Sequence, residues 1–341
     1  MPKGSPTIYE VARHAGVSIA TVSRVNRGDG PVAATTRERV TRSIEQLDYR
    51  PHPSARSLAA SRHDARGIVF PDLSGPYYSA VIHGFEDEAV QARQSVLILG
   101  THGRASADDL VQDLAARVDG LVVMGRTVSD RIVARLARQG LPIVLLARPT
   151  VSGIDSVRSE SRTAATALVQ HLFSHGRDDL LFVGDPDSSP DASERWAGFV
   201  DAHPAVDRAE LQPLISAFTE AAGHAAVREL LGGTGRTQAP AGLVCANDEI
   251  AIGAIRAARE AGFDVPGRLV VTGWDDIPVA SVVAPALTTV RQPMRELGAR
   301  AAALLDERIS GARTEPRHVL LPTSLVIRAS CGCTPNGGEN T

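Results

Sequence analysis

The chain is poor in cysteine, in aromatic residues and in long apolar runs. Its three cysteines, Cys245, Cys331 and Cys333, are too few and too irregularly placed for a disulfide framework. No run of about eighteen apolar residues occurs, so we expect no membrane-spanning helix, and the first residues lack the apolar segment of a secretory signal. These absences favour a protein of the reducing cytoplasm that has no membrane partner.

Motifs of common enzyme classes are absent as well. The sequence has no glycine-rich nucleotide loop after the first predicted strand, no nucleophile elbow and no metal-binding triad. The ten histidines are scattered, so we expect no metal, no cofactor and no catalytic residue. The pair Cys331 and Cys333 is too short to be a zinc site alone, and we expect it in a disordered, reducible tail; the disordered tail of the domain assignment comprises residues 336–341.

Charge is distributed unevenly along the 341 residues. Residues 1–62 contain ten basic and five acidic residues, whereas the remainder contains 26 basic and 34 acidic residues. A basic N-terminal segment (the head) followed by an acidic remainder (the body) suggests that the head binds a polyanion and the body does not. Chance clustering of surface charge would give the same counts, so the interpretation also needs local motifs.

The pattern of the head predicts three short helices. In TIYEVARHAG, Thr7 and Glu10 form a capping box, and Gly16 allows the chain to turn sharply. Ser18 is predicted to cap a second helix. The T-x-x-E pattern at residues 35–38 is a further capping box, and it predicts the start of a third helix.

Two helices joined by a tight glycine turn and braced by a third form a helix-turn-helix. In this motif the second helix enters the major groove of duplex DNA, where Arg24 can donate two hydrogen bonds to a guanine. A three-helix bundle that contacts another protein is the alternative. The residues that we expect to touch bases or phosphates are Thr7, Ser18, Ile19, Ala20, Thr21, Ser23, Arg24, Arg27 and Thr36.

The segments TIYEVARHAGVSIATVSRV and VAATTRERVTRSIEQLDYRPHPSARSLA resemble the DNA-binding head of the lactose/galactose repressor family of bacterial transcription regulators, and the similarity covers nearly the whole chain. The resemblance implies a core like that of periplasmic binding proteins, a homodimer and a near-palindromic DNA operator. One departure is that Asn26 and Arg27 stand where the family usually has leucine and asparagine.

The segment after the third helix favours a hinge. Pro51 and Pro53 end that helix, and the small residues that follow offer only Leu58 as a large apolar group. A flexible linker is the alternative. The resemblance implies that two such hinges pair in the minor groove, where Leu58 wedges between base steps and Ala55 and Arg56 line the groove.

From residue 66 onward the pattern predicts an α/β core. The runs GIVFPD, SVLILG, GLVVMG and PIVLLA, and later DLLFVGD, QPLIS, GLVCAND and LVVTGWDD, are typical of buried parallel strands with helices between them. Two successive sets predict two doubly wound subdomains. The expected ranges are 1–50 for the head, 51–63 for the hinge and 64–335 for the core, whose N subdomain spans about 64–160 and 291–320 and whose C subdomain spans about 161–290 and 321–335.

Ligands of such sheets bind beyond the carboxyl ends of the strands. Aromatic faces beside Asp, Asn and Arg suit a polyhydroxylated ligand such as a sugar. We expect Asp248, Asp276 and Ser74 to cap helices, and a structural network between Arg195, Asn247 and Asp275 is the alternative to ligand binding. The candidate effector-binding residues are Asp72, Ser74, Tyr77, Tyr78, Arg148, Asp187, Arg195, Asn247, Trp274 and Asp275.

These observations predict a ligand-responsive DNA-binding regulator, which we expect to be a repressor. Its expected partners are double-stranded DNA, a carbohydrate-like effector and a second copy of the chain. An α/β enzyme with an accessory head and a solute-binding transport protein are the alternatives. The missing catalytic motifs argue against the enzyme, and the basic head argues against the transport protein.

Overall fold

The computed structural model describes residues 6–28, 30–49, 62–102, 104, 106–203, 211–232 and 239–333. The chain divides into two compact units, Met1–Asp64 and Ala65–Thr341, which are called the head and the body below. In the described ranges no helix has both the length and the apolar character needed to cross a membrane.

The head contains the three predicted helices, α1 (Ile8–Ala15), α2 (Ile19–Arg27) and α3 (Ala34–Gln46). Val11, Val22 and Val40 come from one helix each and are completely buried. The capping box of Thr7 with Glu10 is present, and the hydroxyl of Ser18 accepts the backbone N–H of Thr21 at the start of α2. Both predicted caps are therefore confirmed.

The predicted capping box of the third helix is wrong. The N-cap of α3 is Ala33, which makes no side-chain cap hydrogen bond. Thr35 already lies inside the helix, whereas an N-cap residue stands just before the first helical residue and has an extended backbone. The helix therefore starts without the side-chain cap that Thr35 and Glu38 were expected to supply.

The body alternates strands and helices. Its first part contains β1 (Ala65–Phe70), α4 (Pro76–Gln91), β2 (Ser95–Gly100), α5 (Ala107–Ala115), β3 (Gly120–Met124), α6 (Asp130–Arg138), β4 (Ile143–Leu146) and β5 (Asp155–Ser159). Its middle part contains α7 (Arg162–Ser174), β6 (Leu180–Val183), α8 (Pro190–Asp201), α9 (Glu220–Gly232), β7 (Gly242–Cys245), α10 (Asp248–Glu260) and β8 (Val270–Thr272). Its last part contains β9 (Thr289–Arg291), α11 (Met294–Ile309), β10 (His318–Leu321) and β11 (Ser324–Val326), with 3₁₀ turns at Pro278–Ser281 and Ala329–Cys331.

The strands form two parallel sheets. Sheet A has the order β10-β5-β4-β3-β1-β2, and sheet B has the order β6-β7-β8. All neighbours in both sheets are parallel, while β9 and β11 form a small antiparallel pair. The expected class, a helical head followed by an α/β core with two doubly wound parts, is confirmed.

Two strand predictions need correction. The run QPLIS does not form a strand, because only Leu214 makes an isolated bridge, to Val183. Conversely, β5 has the polar sequence DSVRS, which lacks the apolar run of a buried strand. Its Asp155 is nevertheless completely buried, because Arg308 and Arg313 donate to its carboxylate. The distant arginines, rather than local pattern, allow β5 to lie inside the sheet.

The chain passes between the two sheets three times. It leaves sheet A after β5 to enter α7, it returns through residues 292–293 to α11 and β10, and it leaves again through residues 322–323 to β11. Any relative movement of the two sheets must therefore be absorbed at three adjacent connections, which is typical of a hinge.

Close helix pairs cover the sheets. A Cβ atom on Gly84 of α4 would lie only 1.8 Å from the backbone oxygen of Arg295 in α11. A Cβ atom on Gly253 of α10 would lie 2.1 Å from the backbone oxygen of Glu220 in α9. Glycine is required at these two positions because the backbones touch.

Candidate functional site

The second helix of the head presents small and polar side chains to solvent. Ser18, Ile19, Ala20 and Arg24 are exposed, whereas Val22 is completely buried. The helix sequence IATVSRVNR contains two arginines and no acidic residue. An exposed helix surface that carries Arg24 and no acidic residue suits the phosphates and base edges of a nucleic acid.

Other predicted contact residues of the head have local roles as well. The backbone N–H of Thr7 donates to Glu10 Oε2 over 2.7 Å, and this donor lowers the pKa of the Glu10 carboxyl below its usual value. Thr21 and Ser23 are half-buried on α2, and Thr36 is half-buried on α3. The predicted contacts at Ala55, Arg56, Leu58 and the side chain of Arg27 lie outside the described residues.

A cavity of about 540 Å³ lies between the carboxyl ends of the two sheets of the body. Residues that follow strands of sheet A form one wall, and residues that follow strands of sheet B, with α8 and α10, form the other. Seven of the ten candidate residues line this cavity, namely Asp72, Ser74, Tyr77, Tyr78, Arg195, Asn247 and Asp275. The sheets therefore bring together side chains that are up to about 200 positions apart in the chain, as parallel-sheet geometry predicts.

Arg195 on α8 occupies a buried position in this wall. Its Nη1 donates to the backbone oxygen of Ala246 over 2.6 Å, and its guanidinium carbon lies 4.8 Å from the ring centroid of Trp274. Its Nη2 lies 3.9 Å from Asp275 Oδ1. Its Nε is buried and has no hydrogen-bond partner among the described residues. A held guanidinium with one unused donor is suited to bind an oxygen atom of a ligand.

Asp275 faces Arg195 across the cavity lining. Burial raises the pKa of its carboxyl to about 7, although Arg195 and the hydrogen bond from Gln292 both act to lower it. Its φ of 115° is rare for a residue with a side chain. The backbone N–H of Asp275 donates to Val290 over 2.9 Å, so pairing with β9 holds this conformation and directs the carboxyl toward the cavity.

Two tyrosines form part of the opposite wall. The ring of Tyr77 packs edge-on against Tyr78 with a centroid distance of 5.4 Å, and Tyr78 packs edge-on against Phe70 at 5.7 Å. Burial raises the pKa of Tyr78 to about 12 and raises that of Tyr77 well above its usual value, so both phenols remain neutral. The buried hydroxyl of Tyr77 has no partner within the part of the chain that the structure describes.

Asn247 lines the cavity and also caps α10. Its Oδ1 accepts the backbone N–H of Ile250 over 2.9 Å, and its Nδ2 lies 3.5 Å from the backbone oxygen of Phe218. Asp72 is similarly held, because its Oδ1 accepts the backbone N–H of Ser74 over 3.0 Å, which lowers the pKa of the Asp72 carboxyl. These two side chains present their remaining polar atoms in fixed directions.

Three candidate residues do not line the cavity. Arg148 turns away, donates to the backbone oxygen of Val128 and pairs with Asp130. Asp187 is exposed, and its backbone oxygen accepts from Arg126 over 3.3 Å. Trp274 lies behind Arg195 as a buried platform. Each of the three residues follows a strand as expected, but its side chain points away from the cavity.

The expected capping roles of Asp248, Asp276 and Ser74 are wrong. Asp248 is the first residue of α10, where its buried carboxylate accepts from Ile277 N–H and the Thr289 hydroxyl. Asp276 pairs with Arg291 and Arg328. The N-cap of α4 is Gly75, one residue after Ser74.

The cavity also contains acidic residues that the sequence patterns did not single out. Asp191 lies on α8 four positions before Arg195, so both fall on one helix face, and burial raises the pKa of its carboxyl. Glu249 lies on α10, and burial raises its pKa as well. The helical spacing between Asp191 and Arg195 was the signal that could have found the former. The other lining residues are Pro71, His102, Met124, Gly125, Ala147, Asp185, Ser188, Ser189, Ile215, Ser216, Ala217, Phe218 and Thr219.

Comparison with known proteins assigns both units. Residues 7–52 match the model of "Bacterial regulatory proteins, lacI family", and residues 169–331 match that of the "Periplasmic binding protein-like domain". Catabolite control protein A of Priestia megaterium is 31% identical over 330 residues, which cover 95% of this chain and 98% of that protein. The chain belongs to the lacI family of bacterial regulatory proteins.

Two solved structures of regulators have the same fold. The lac repressor dimer bound to operator and the anti-inducer ONPF matches with a TM-score of 0.82 and 28% identity, covering 96% of this chain and 99% of that one. A complex of the transcriptional regulator CelR with cellobiose matches with a TM-score of 0.70 and 29% identity, covering 95% and 99%. These lacI-family relatives are DNA-binding transcription regulators and not enzymes, so this chain is a transcriptional regulator too.

Proposed function

We propose that the protein is a repressor that binds a near-palindromic operator as a homodimer, and that an uncharged sugar or related polyol in the body cavity changes its affinity for DNA. The observation that carries the proposal is that two residues of the cavity lining, Arg195 and Tyr77, each have a buried polar atom without a partner among the described residues, namely Nε and the hydroxyl. A buried polar atom without a hydrogen-bond partner costs free energy, and the hydroxyl groups of a ligand would supply the missing partners.

The charges of the cavity favour a neutral ligand over an anionic one. The described residues that line it include five with carboxyl groups, Asp72, Asp185, Asp191, Glu249 and Asp275, and one arginine, Arg195. Burial raises the pKa of the Asp275 carboxyl to about 7, so this group can carry a proton and donate as well as accept hydrogen bonds, and burial also raises the pKa of Asp191 and Glu249. Sugar hydroxyls both donate and accept, while a phosphate would meet net negative charge.

Aromatic side chains supply the apolar part of the cavity. The rings of Tyr77 and Tyr78 and the side chain of Phe218 line it next to the polar atoms. Such faces cover the C–H surface of a pyranose ring, and the volume of about 540 Å³ is within the range of small-molecule sites. The cellobiose complex of CelR supports a sugar in the corresponding protein core.

Control of DNA binding would pass through the three connections between the sheets. A ligand that contacts Tyr77 on one wall and Arg195 on the other favours one spacing of the walls. The first subdomain follows directly from the hinge, residues 51–63, so its placement in a dimer would set the distance between two hinges and their Leu58 wedges. Coupling of about 1–3 kcal/mol between the two sites is typical of such regulators.

The partners follow from the same proposal. A twofold dimer presents two recognition helices to two half-sites about one helical turn apart, which requires a near-palindromic operator. The lac repressor dimer on its operator supports this arrangement. We place the protein in the bacterial cytoplasm, on the nucleoid when it is bound, and we propose no cofactor besides the effector.

The test begins with the operator. Genomic fragments that the full-length protein retains are sequenced, and binding to the enriched fragment is compared with binding to random duplex at one fixed salt concentration. A panel of neutral mono- and disaccharides, sugar phosphates and nucleosides is then added to the complex. We expect a neutral sugar to change the operator affinity by about 5-fold to 150-fold.

Arg195→Ala is the informative variant and Arg131→Ala, an exposed arginine on α6, is its matched control. We expect the first to lose the sugar response while operator binding stays normal, and the second to keep both. A normal response in Arg195→Ala, or a response to sugar phosphates alone, would contradict the proposed cavity chemistry. Turnover of the sugar would favour an enzyme instead.

A further inference from the structure

A cluster of potential metal ligands lies on the body, away from the cavity. His171 and His175 are four positions apart at the end of α7, where His175 is the C-cap residue. Residues with this spacing share one face of a helix. The sequence therefore contains the H-x-x-x-H pattern that places two imidazoles side by side, and our expectation from scattered histidines overlooked it.

Cys333 joins these two histidines from the other end of the domain. Its Sγ lies 3.5 Å from His171 Nε2 and 3.3 Å from His175 Nε2. The donor atoms of all three residues lie within 4.8 Å of one another. All three cysteines of the chain are free, so this thiol is available.

The position of Cys333 is fixed by its neighbours, which corrects the expectation of a disordered tail at this point. Ser330 accepts from the backbone N–H of Thr288 and donates to the backbone oxygen of Val271. Cys331 is buried, and the Thr288 hydroxyl lies 3.1 Å from its Sγ. Gly332 then turns the chain with a φ of 92°, which brings Cys333 back toward α7. Residues 334–341 lie outside the described ranges.

We propose that His171, His175 and Cys333 bind a divalent zinc ion, with a water molecule as the fourth ligand. Zinc prefers four ligands in a tetrahedron, with a Zn–S distance of about 2.3 Å and Zn–N distances of about 2.0–2.1 Å. These values place sulfur and nitrogen about 3.6 Å apart around the metal. The observed S···N distances are 3.5 and 3.3 Å, close to that requirement.

The surroundings suit this ion. His175 is exposed, and His171 and Cys333 are half-buried, so water has access to a fourth position. Two imidazoles and one thiolate form a borderline-soft donor set, which zinc favours over magnesium or calcium.

The site would join the last described turn of the chain to α7. The segment that ends at Cys333 also contains β11, which pairs with β9 at a connection between the sheets. A metal that binds only the folded protein stabilises it by mass action. The site does not share residues with the cavity, so it is independent of the effector proposal.

The test measures zinc in the purified full-length protein. Protein stripped with a chelator is incubated with zinc sulfate, desalted and analysed by inductively coupled plasma mass spectrometry. We expect one zinc per chain in the wild type and none in His175→Ala or Cys333→Ser. His83→Ala, which removes an exposed histidine on α4, should retain one zinc. Zinc should raise the melting temperature of the wild type and not that of Cys333→Ser, whose folding is verified by operator binding.

Cobalt(II) binding and a variant of the neighbouring thiol, Cys331, together distinguish a metal site from a disulfide. Cobalt(II) should give tetrahedral d–d absorption and a thiolate charge-transfer band that Cys333→Ser abolishes. Cys331→Ser cannot form a Cys331–Cys333 disulfide, and it should still bind one zinc. Equal zinc content in the wild type and Cys333→Ser, or a reduced wild type that binds no zinc, would overturn the proposal.

Discussion

Nε2 of Gln292 donates a hydrogen bond to Oδ1 of Asp275 over 2.6 Å, and both residues are buried. The other side of the same amide accepts from the hydroxyl of Ser159 at the end of β5. Gln292 lies in the second connection between the sheets, so one side chain joins the end of sheet A to the wall of the cavity. A change in the position of Asp275 is therefore transmitted directly to a connection on which movement of the sheets depends.

Replacing Gln292 tests this link. Gln292→Leu leaves Ser159 and Asp275 each without a hydrogen bond in a buried place, and we expect the free energy of unfolding to fall by at least about 2 kcal/mol. Urea unfolding followed by circular dichroism measures the change. Gln112→Leu removes a single amide contact to Asp108 in a half-buried place on α5, and it should cost less than about 1 kcal/mol. Equal losses in the two variants would refute a special role for Gln292.

The raised pKa of Asp275 predicts a dependence of stability on pH. The native carboxyl has a pKa of about 7 and the unfolded one has a pKa near 3.8, so the native state holds the extra proton between these values. The contribution of Asp275 to the free energy of unfolding is therefore greatest below about pH 4, and it decreases as the pH rises toward 7. Asp275→Asn removes this contribution, and its stability relative to wild type should improve by up to about 4 kcal/mol across that window.

Urea unfolding at a series of pH values checks this expectation. Other carboxyl groups titrate in both proteins, so only the difference between wild type and variant is informative. Burial also raises the pKa of Asp248 to about 8, and because both proteins contain Asp248, this group makes both less stable as the pH rises. A difference between the two proteins that stays constant from about pH 4 to pH 8 would show that Asp275 is ionised normally in the folded state.

The close approach of α9 and α10 predicts that Gly253 tolerates no side chain. A Cβ atom there would lie 2.1 Å from the backbone oxygen of Glu220, so Gly253→Ala must push two helices apart. We expect a loss of about 1–3 kcal/mol in the free energy of unfolding. At Gly232 a Cβ atom would meet no atom of the described residues within 4 Å, so Gly232→Ala serves as the control. It should be neutral or slightly stabilising, and similar effects at both positions would argue against backbone contact.

The two T-x-x-E patterns of the head predict opposite outcomes. Thr7→Ala removes a side chain that accepts the backbone N–H of Glu10, and it should destabilise α1 by about 1 kcal/mol. Thr35→Ala removes no cap, because α3 starts from Ala33. Hydrogen–deuterium exchange of the full-length protein should show faster exchange in α1 for the first variant only. Faster exchange in α3 after Thr35→Ala would mean that Thr35 does stabilise the start of that helix.

Much of the fold was predictable because its elements carry strong local patterns. The apolar runs that became β1–β4 and β6–β8 are short, rich in Val, Leu and Ile, and separated by amphipathic helices. The helix-turn-helix was marked by caps at Thr7 and Ser18. By contrast, β5 is polar, and its Asp155 is buried with donors from Arg308, Arg313 and the backbone N–H of Arg317, all about 150 residues away or more. A pattern confined to a few residues carries no information on such partners.

The cavity residues were predictable to the extent that strand ends determine them. Asp72, Asn247 and Asp275 follow strands and do line the cavity. Arg148 and Asp187 also follow strands, but the former pairs with Asp130 and the latter is exposed. The direction of each side chain depends on its interaction partner in the folded protein. The partners, Asp130 for Arg148 and Arg126 for the backbone of Asp187, are not adjacent to these residues in sequence. Asp191 and His175 were missed although their spacing of four from Arg195 and His171 was visible.

The second passage between the sheets affects how the body is assembled during synthesis. The edge strand β10 of sheet A comprises His318–Leu321, so it leaves the ribosome after every residue of sheet B. Until then one edge of β5 has no partner, and an open strand edge is a template for association with other chains. We therefore expect the polar sequence of β5, with Asp155 and Arg158 on it, to limit association of the nascent protein with other chains before its last strand is available.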